Sequence, residues 1–102
     1  MMEVSEEIEE RIEFWIKTKF YYVAYPDPVD EYWWLDREGQ WQPMADMSLD
    51  HLKASAKLIE RDVKNAFSPK EGKYSYYAKF ILEPALAKKS ELEEVFRDQA
   101  KL

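Results

Sequence analysis

The chain has no cysteine, only two glycines and a single histidine, His51. Without cysteine there is no disulfide framework and no thiolate-ligated zinc or iron–sulfur site. The isolated Gly39 and Gly72 make neither a Walker-type phosphate loop nor a dinucleotide fingerprint. So few glycines also argue against an all-β barrel, whose many tight turns need them. None of the six serines sits in a GxSxG elbow, so a nucleophilic triad fails on inventory. No apolar run approaches the roughly 18 residues that span a bilayer. "MMEVSEEIEERIEFW" lacks the basic and apolar regions of a secretory leader. The expectation is therefore a protein of the cytoplasm, with no membrane association and no cofactor.

Composition says more. At 102 residues there is room for one domain and one core. Apolar residues at 46% and charged residues at 35% fit a globular chain. Ten of the sixteen aromatics fall between Phe14 and Trp41. The net charge of −6 is unevenly spread. Residues 1–50 carry thirteen acids against four bases, and residues 51–102 carry eight against eleven. An acidic balance disfavours direct nucleic-acid binding, which draws its affinity from Lys and Arg displacing counterions. It favours a protein partner with a basic surface.

The pattern predicts an α+β fold: an N-terminal helix, a β-hairpin at about 31–43, then two or three C-terminal helices packed on it. Val4, Ile8, Ile12, Trp15, Ile16 and Phe20 recur at helical spacing over residues 4–22, with Ser5 as the cap. Phe20, Tyr21 and Tyr22 are open to a second reading, as chain leaving the helix in extended form. "YPDPVD" at 25–30 stops any helix, because each proline pushes its predecessor toward extended geometry. In "EYWWLDREGQWQPM", Tyr32 and Trp34 should share one strand face and Trp33 and Leu35 the other. Gly39 supplies the turn, and Pro43 ends the return strand or sets it at an edge.

Ser48 then caps a helix whose apolar stripe is Leu49, Leu52, Ala56, Ile59, Val63, Ala66 and Phe67. Glu60 and Lys64 stand at i,i+4. Ser68 and Pro69 offer a further start signal. Residues 74–82 fit both a helix and an alternating strand, with length favouring a helix kinked or broken at Pro84. "SELE" at 90–93 reads as a capping box that begins a last helix.

No constellation specifies chemistry. His51 with Asp46 or Asp50 could hold a divalent ion in a metal-assisted enzyme, but no HExxH or H-x-D spacing accompanies it, and a structural role is the simpler reading. The expectation is that the protein is not an enzyme and holds no resident metal. Glu6, Glu9, Glu10, Glu13, Asp27, Asp30 and Glu31 form the acidic candidates for partner binding. Trp33, Trp34 and Trp41 are the aromatic ones, since tryptophan is enriched in binding hot spots. Adjacent Trp33 and Trp34 point to opposite strand faces, so one core layer cannot take both. A homo-oligomeric module is the third expectation.

The stretch "WWLDREGQWQPMADMSLDHLKASAKLIER" resembles small uncharacterised accessory proteins of phages and prophages in Gram-positive bacteria. The matching positions are Trp34, Gly39, Met47, His51, Leu52 and Ile59, within residues 32–60. Pro43 departs from the pattern, which has an uninterrupted strand there. The resemblance implies no catalytic residues. It implies a small protein of the host-cell cytoplasm that binds and modulates a host factor, such as an inhibitor of a nucleic-acid-handling or defence enzyme.

Overall fold

The computed structural model describes residues 6–24, 29–66 and 78–101. Its architecture is α+β, as the pattern predicts: a short N-terminal helix, a two-stranded antiparallel hairpin, and helices packed against it. Helix α1 spans Glu6–Thr18 and buries Ile12 and Ile16 on one side. Thr18 closes the last turn by donating its hydroxyl to the Phe14 carbonyl at 2.7 Å. The chain neither continues as helix nor extends after it. It folds into a 3₁₀ turn at Tyr21–Val23, which buries Phe20, Tyr22 and Val23. Ala24 ends that turn at φ 52, a left-handed position unusual for a residue with a Cβ. The expected Ser5 cap and the Pro26–Pro28 stop lie outside the described residues.

Strand β1, Trp33–Leu35, pairs with β2, Trp41–Pro43, in the register Trp33↔Pro43, Trp34↔Gln42 and Leu35↔Trp41. The turn is the one "DREG" predicts. Asp36 donates its N–H to the Gln40 carbonyl (3.0 Å) and accepts the Gly39 N–H (3.1 Å), while its carboxylate takes the Gln40 N–H (2.8 Å). Gly39 sits at φ +81, where glycine has no Cβ penalty. Pro43 ends β2, where its missing N–H costs no ladder bond.

Tyr32 breaks the expected alternation. Its φ of 63 places it in a turn rather than on the Trp34 face, so its ring is exposed while Trp34 is buried. Hydrogen bonds on both sides hold this strained backbone. The Tyr32 N–H donates to Glu91 at 2.8 Å, and its carbonyl accepts the Met44 N–H at 2.8 Å.

A second 3₁₀ turn, Met44–Asp46, leads into α2, Leu49–Ala66. The Ser48 cap forms as expected, its hydroxyl oxygen accepting the His51 N–H at 3.1 Å. Leu52 and Ile59 are buried, but Leu49, the first residue of the helix and at the edge of the stripe, is exposed. Glu60 and Lys64 form no ion pair among the described residues; both remain in solvent.

Helix α3 spans Glu83–Ala100 and is entered through a π-turn at Ala78–Leu82, so this part of the ambiguous segment is helical. Residues 67–77, including the Ser68–Pro69 start signal, lie outside the described set. Pro84 does not break the helix. It stands in the first turn of α3, directly after the π-turn, a position where proline is tolerated. The "SELE" box is not a helix start, because α3 already runs from Glu83 through Ser90. Ala85, Lys88 and Leu92 continue one buried stripe across the position where a new helix was expected. The core joins α1, the first 3₁₀ turn, Trp34, Met44, Met47, α2 and α3 in one cluster.

Candidate functional site: the outward face of the hairpin

The site begins with strand alternation. Trp33, Leu35, Trp41 and Pro43 share one face of the hairpin, and Trp34 and Gln42 the other. Trp34 is 3% exposed and stacks on Tyr22, with ring centroids 5.2 Å apart and an interplanar angle of 15°. It therefore serves the core and, against the expectation that grouped it with Trp33 and Trp41, does not share their outward face. Trp33 is 38% exposed and Trp41 49%. Among the described residues no core element covers their face, and the two rings stand on neighbouring strands of the hairpin.

The support beneath this patch comes from α3. Lys88 is buried, and its ammonium donates to the Asp30 carbonyl at 2.6 Å and to Glu91 at 2.9 Å. The same Glu91 oxygen takes the Tyr32 N–H. One ion pair thus locks the entry of β1 onto a helix. The Tyr32 hydroxyl donates to Glu94 at 2.9 Å, and this bond to a carboxylate raises the hydroxyl pKa. Gln99 adds a bond from its side-chain amide to the Ala45 carbonyl at 3.0 Å, fixing the exit of β2. Both ends of the hairpin are tied to a rigid element, so its outward rings are presented in a defined geometry.

The predicted acidic residues separate into two groups. Asp30 and Glu31 are exposed beside Tyr32 and Trp33, and α3 adds Glu91 and Glu94, which sequence spacing did not single out. Glu6, Glu10 and Glu13 are exposed on α1 and make no ion pair among the described residues. Glu9 lies on α1, but its side chain, like all of Asp27, is outside the described set. Helix α1 packs on the first 3₁₀ turn and the π-turn, and among the described residues no hydrogen bond links Glu6, Glu10 or Glu13 to the hairpin.

His51 is exposed in the first turn of α2, and Asp46 and Asp50 are exposed near it in sequence. No group of three or more potential ligand residues converges among the described residues. His51 instead borders an open cleft of about 620 Å³ between the hairpin turn and α2, with Trp34 at its base and Arg37, Lys57 and Arg61 at its edge. Asp36 and Glu38 share that edge, so the cleft is not uniformly cationic. Arg37 lies 5.7 Å from the Tyr21 ring centroid, a cation–π contact. Burial raises the Tyr21 hydroxyl pKa, and Arg37 partly opposes that. On the core side of the cleft, Tyr22 donates its hydroxyl to the buried Asp62 at 3.1 Å. Burial, followed by the Asp62 charge, holds the Tyr22 proton far more tightly than in a free tyrosine.

No protein-family model matches the chain, and neither a curated protein nor a solved structure does. No helix among the described residues is long and apolar enough to cross a membrane.

Proposed function

We propose that this is a protein-binding module of phage type that uses the outward face of its hairpin against a basic surface on a host enzyme. The host enzyme would be one that handles nucleic acid or takes part in defence, and the module would act as its inhibitor. One observation carries the reading: Trp33 and Trp41 stand exposed together on a face whose opposite side is the core. Paired, rigidly held tryptophans are the residue type that anchors binding hot spots. The flanking Asp30, Glu31 and Glu94 supply negative charge at the rim, where it steers a basic partner and sets specificity. Such a surface suits a protein whose own phosphate-binding groove would otherwise take nucleic acid, because that groove is basic and accessible.

The test is capture from host lysate at low and high salt, comparing the wild type with a W33S/W41S variant and with a D30N/E31Q variant. A partner should be retained at low salt by the wild type, lost by the tryptophan variant, and weakened in its salt dependence by the charge variant. Equal retention by all three proteins, or no salt-sensitive partner at all, overturns the reading.

A further inference from the structure

The basic half of the chain is not only a solvated face. Helices α2 and α3 leave between them a groove of about 360 Å³. Its floor is apolar, made by Leu52, Ala56, Leu92 and Phe96. Its rim is cationic: Lys53 and Lys57 on one helix face Lys89 and Arg97 on the other. Glu60 and Glu93 also line it, and Glu93 is engaged by Lys89 at 3.6 Å. Four bases against two acids leave the groove with two positive charges. Its volume falls within the range of ordinary ligand-binding clefts, about 300–1,000 Å³.

Helix α1 carries the complement. At 3.6 residues per turn, Glu6, Glu10, Glu13, Phe14 and Lys17 fall within an arc of about 100°, opposite the buried Ile12 and Ile16. All five are exposed, and three acids against one base leave this face with two negative charges. Phe14 is 62% exposed, more than any other exposed large apolar side chain among the described residues. It stands at one edge of this acidic arc, and none of the other four residues on the arc is apolar. An acidic helix with one large apolar knob and a cationic groove with an apolar floor are the two halves of a helix-in-groove contact.

From this complementarity we propose that the α2–α3 groove of one copy receives α1 of a second copy, Phe14 entering the floor and the α1 glutamates meeting the lysine rim. The contact joins two different patches, so it is heterologous and repeats around a ring or along a chain of copies. A single knob and surface ion pairs make it weak and salt-sensitive. The contact is independent of Trp33 and Trp41, and stands or falls separately from the binding role of the hairpin.

Light scattering and sedimentation velocity test this over about a hundredfold range of protein concentration, at about 0.05 M and about 0.5 M salt. At low salt the average mass should rise with concentration above the 12.3 kDa of one chain, and return to it at high salt. An F14S variant, which keeps the groove, and a K53E/K57E variant, which keeps α1, should each remain at the mass of one chain. Mixed, they should form a 1:1 pair, since each supplies the half that the other has lost. The W33S/W41S variant should assemble like the wild type. Thermal melts matching the wild type show that the variants are folded, as expected for substitutions at exposed positions. The proposal is overturned by a constant 12.3 kDa mass under all conditions, by assembly that survives both groove and helix variants, or by failure of the mixture to pair.

Discussion

Trp34 and Trp33 are adjacent, chemically identical side chains on a three-residue strand, yet one is 3% exposed and the other 38%. Trp41, across the hairpin, is 49% exposed. The inward ring has Tyr22 stacked on it and the core around it, whereas the outward rings have no element above them among the described residues. What separates a buried tryptophan from an exposed one here is neither residue type nor strand propensity, but which face of the hairpin the core packs against. Stability and the proposed recognition can therefore be perturbed separately within a few residues.

The largest effect should come from the inward side. Trp34→Ala removes a buried ring and opens a cavity against Tyr22, and should cost about 4 kcal/mol in chemical denaturation. Lys88→Met comes next. It removes the charge partner of Glu91 and one of two donors to the Asp30 carbonyl, which keeps the Trp33 N–H at 3.1 Å, and should cost about 3 kcal/mol, the low end for a broken buried pair because Glu91 keeps some contact with water. If the comparison is right, this variant also weakens partner binding, because the same ion pair positions the entry to β1.

Tyr22→Phe should cost about 2 kcal/mol at neutral pH, since Asp62 loses its buried donor and keeps only Arg61, at 3.7 Å. The variant also has a pH signature. The folded state holds the Tyr22 proton above the ordinary value of 10.0, so above that pH the unfolded chain releases it while the folded chain retains it. The folded state then binds more protons, and stability falls as pH rises past 10. Urea midpoints measured on both sides of pH 10 should show this decline in the wild type and a shallower one in Tyr22→Phe.

Gly39→Ala meets no steric obstacle, but its positive φ should cost about 1 kcal/mol and loosen the hairpin turn. The smallest stability effect belongs to the outward pair. Trp33→Ser and Trp41→Ser should each change stability by no more than about 0.5 kcal/mol, while removing the proposed partner contact. A loss of several kcal/mol in either would show that this face is part of the core after all, and the comparison would fail.

Local signals were readable wherever the physics is local. The Ser48 cap, the Gly39 turn, the end of β2 at Pro43 and the buried Ile12–Ile16 face all follow from backbone chemistry or helical spacing within one or two turns. Signals failed where a distant element decided the outcome. "SELE" has the composition of a helix start, but the stripe through Ala85, Lys88 and Leu92 packs on α2 and carries the helix straight through it. Tyr32 has no turn signature, and its left-handed backbone is held by Glu91, 59 residues away. Lys88 and Asp62 look like surface charges in sequence and are buried where Asp30 and Tyr22, from other elements, meet them; Glu91, one turn along the same helix, completes the Lys88 pair. The candidate site was half legible. Strand alternation required Trp33 and Trp34 to part, but gave no means of telling which would turn inward.

By itself, the sequence determined the α+β class, the hairpin turn, the absence of thiol chemistry and the unequal spread of charge between the two halves. Each of these depends on residue inventory or on neighbours a few positions apart. The tertiary structure alone decided that Trp34 goes inward and Trp33 and Trp41 outward, that α3 supplies the ion pair beneath them, and that four bases surround an apolar groove. Burial is set by what packs on a face, and two residues with the same propensity receive opposite environments once the rest of the chain chooses a side.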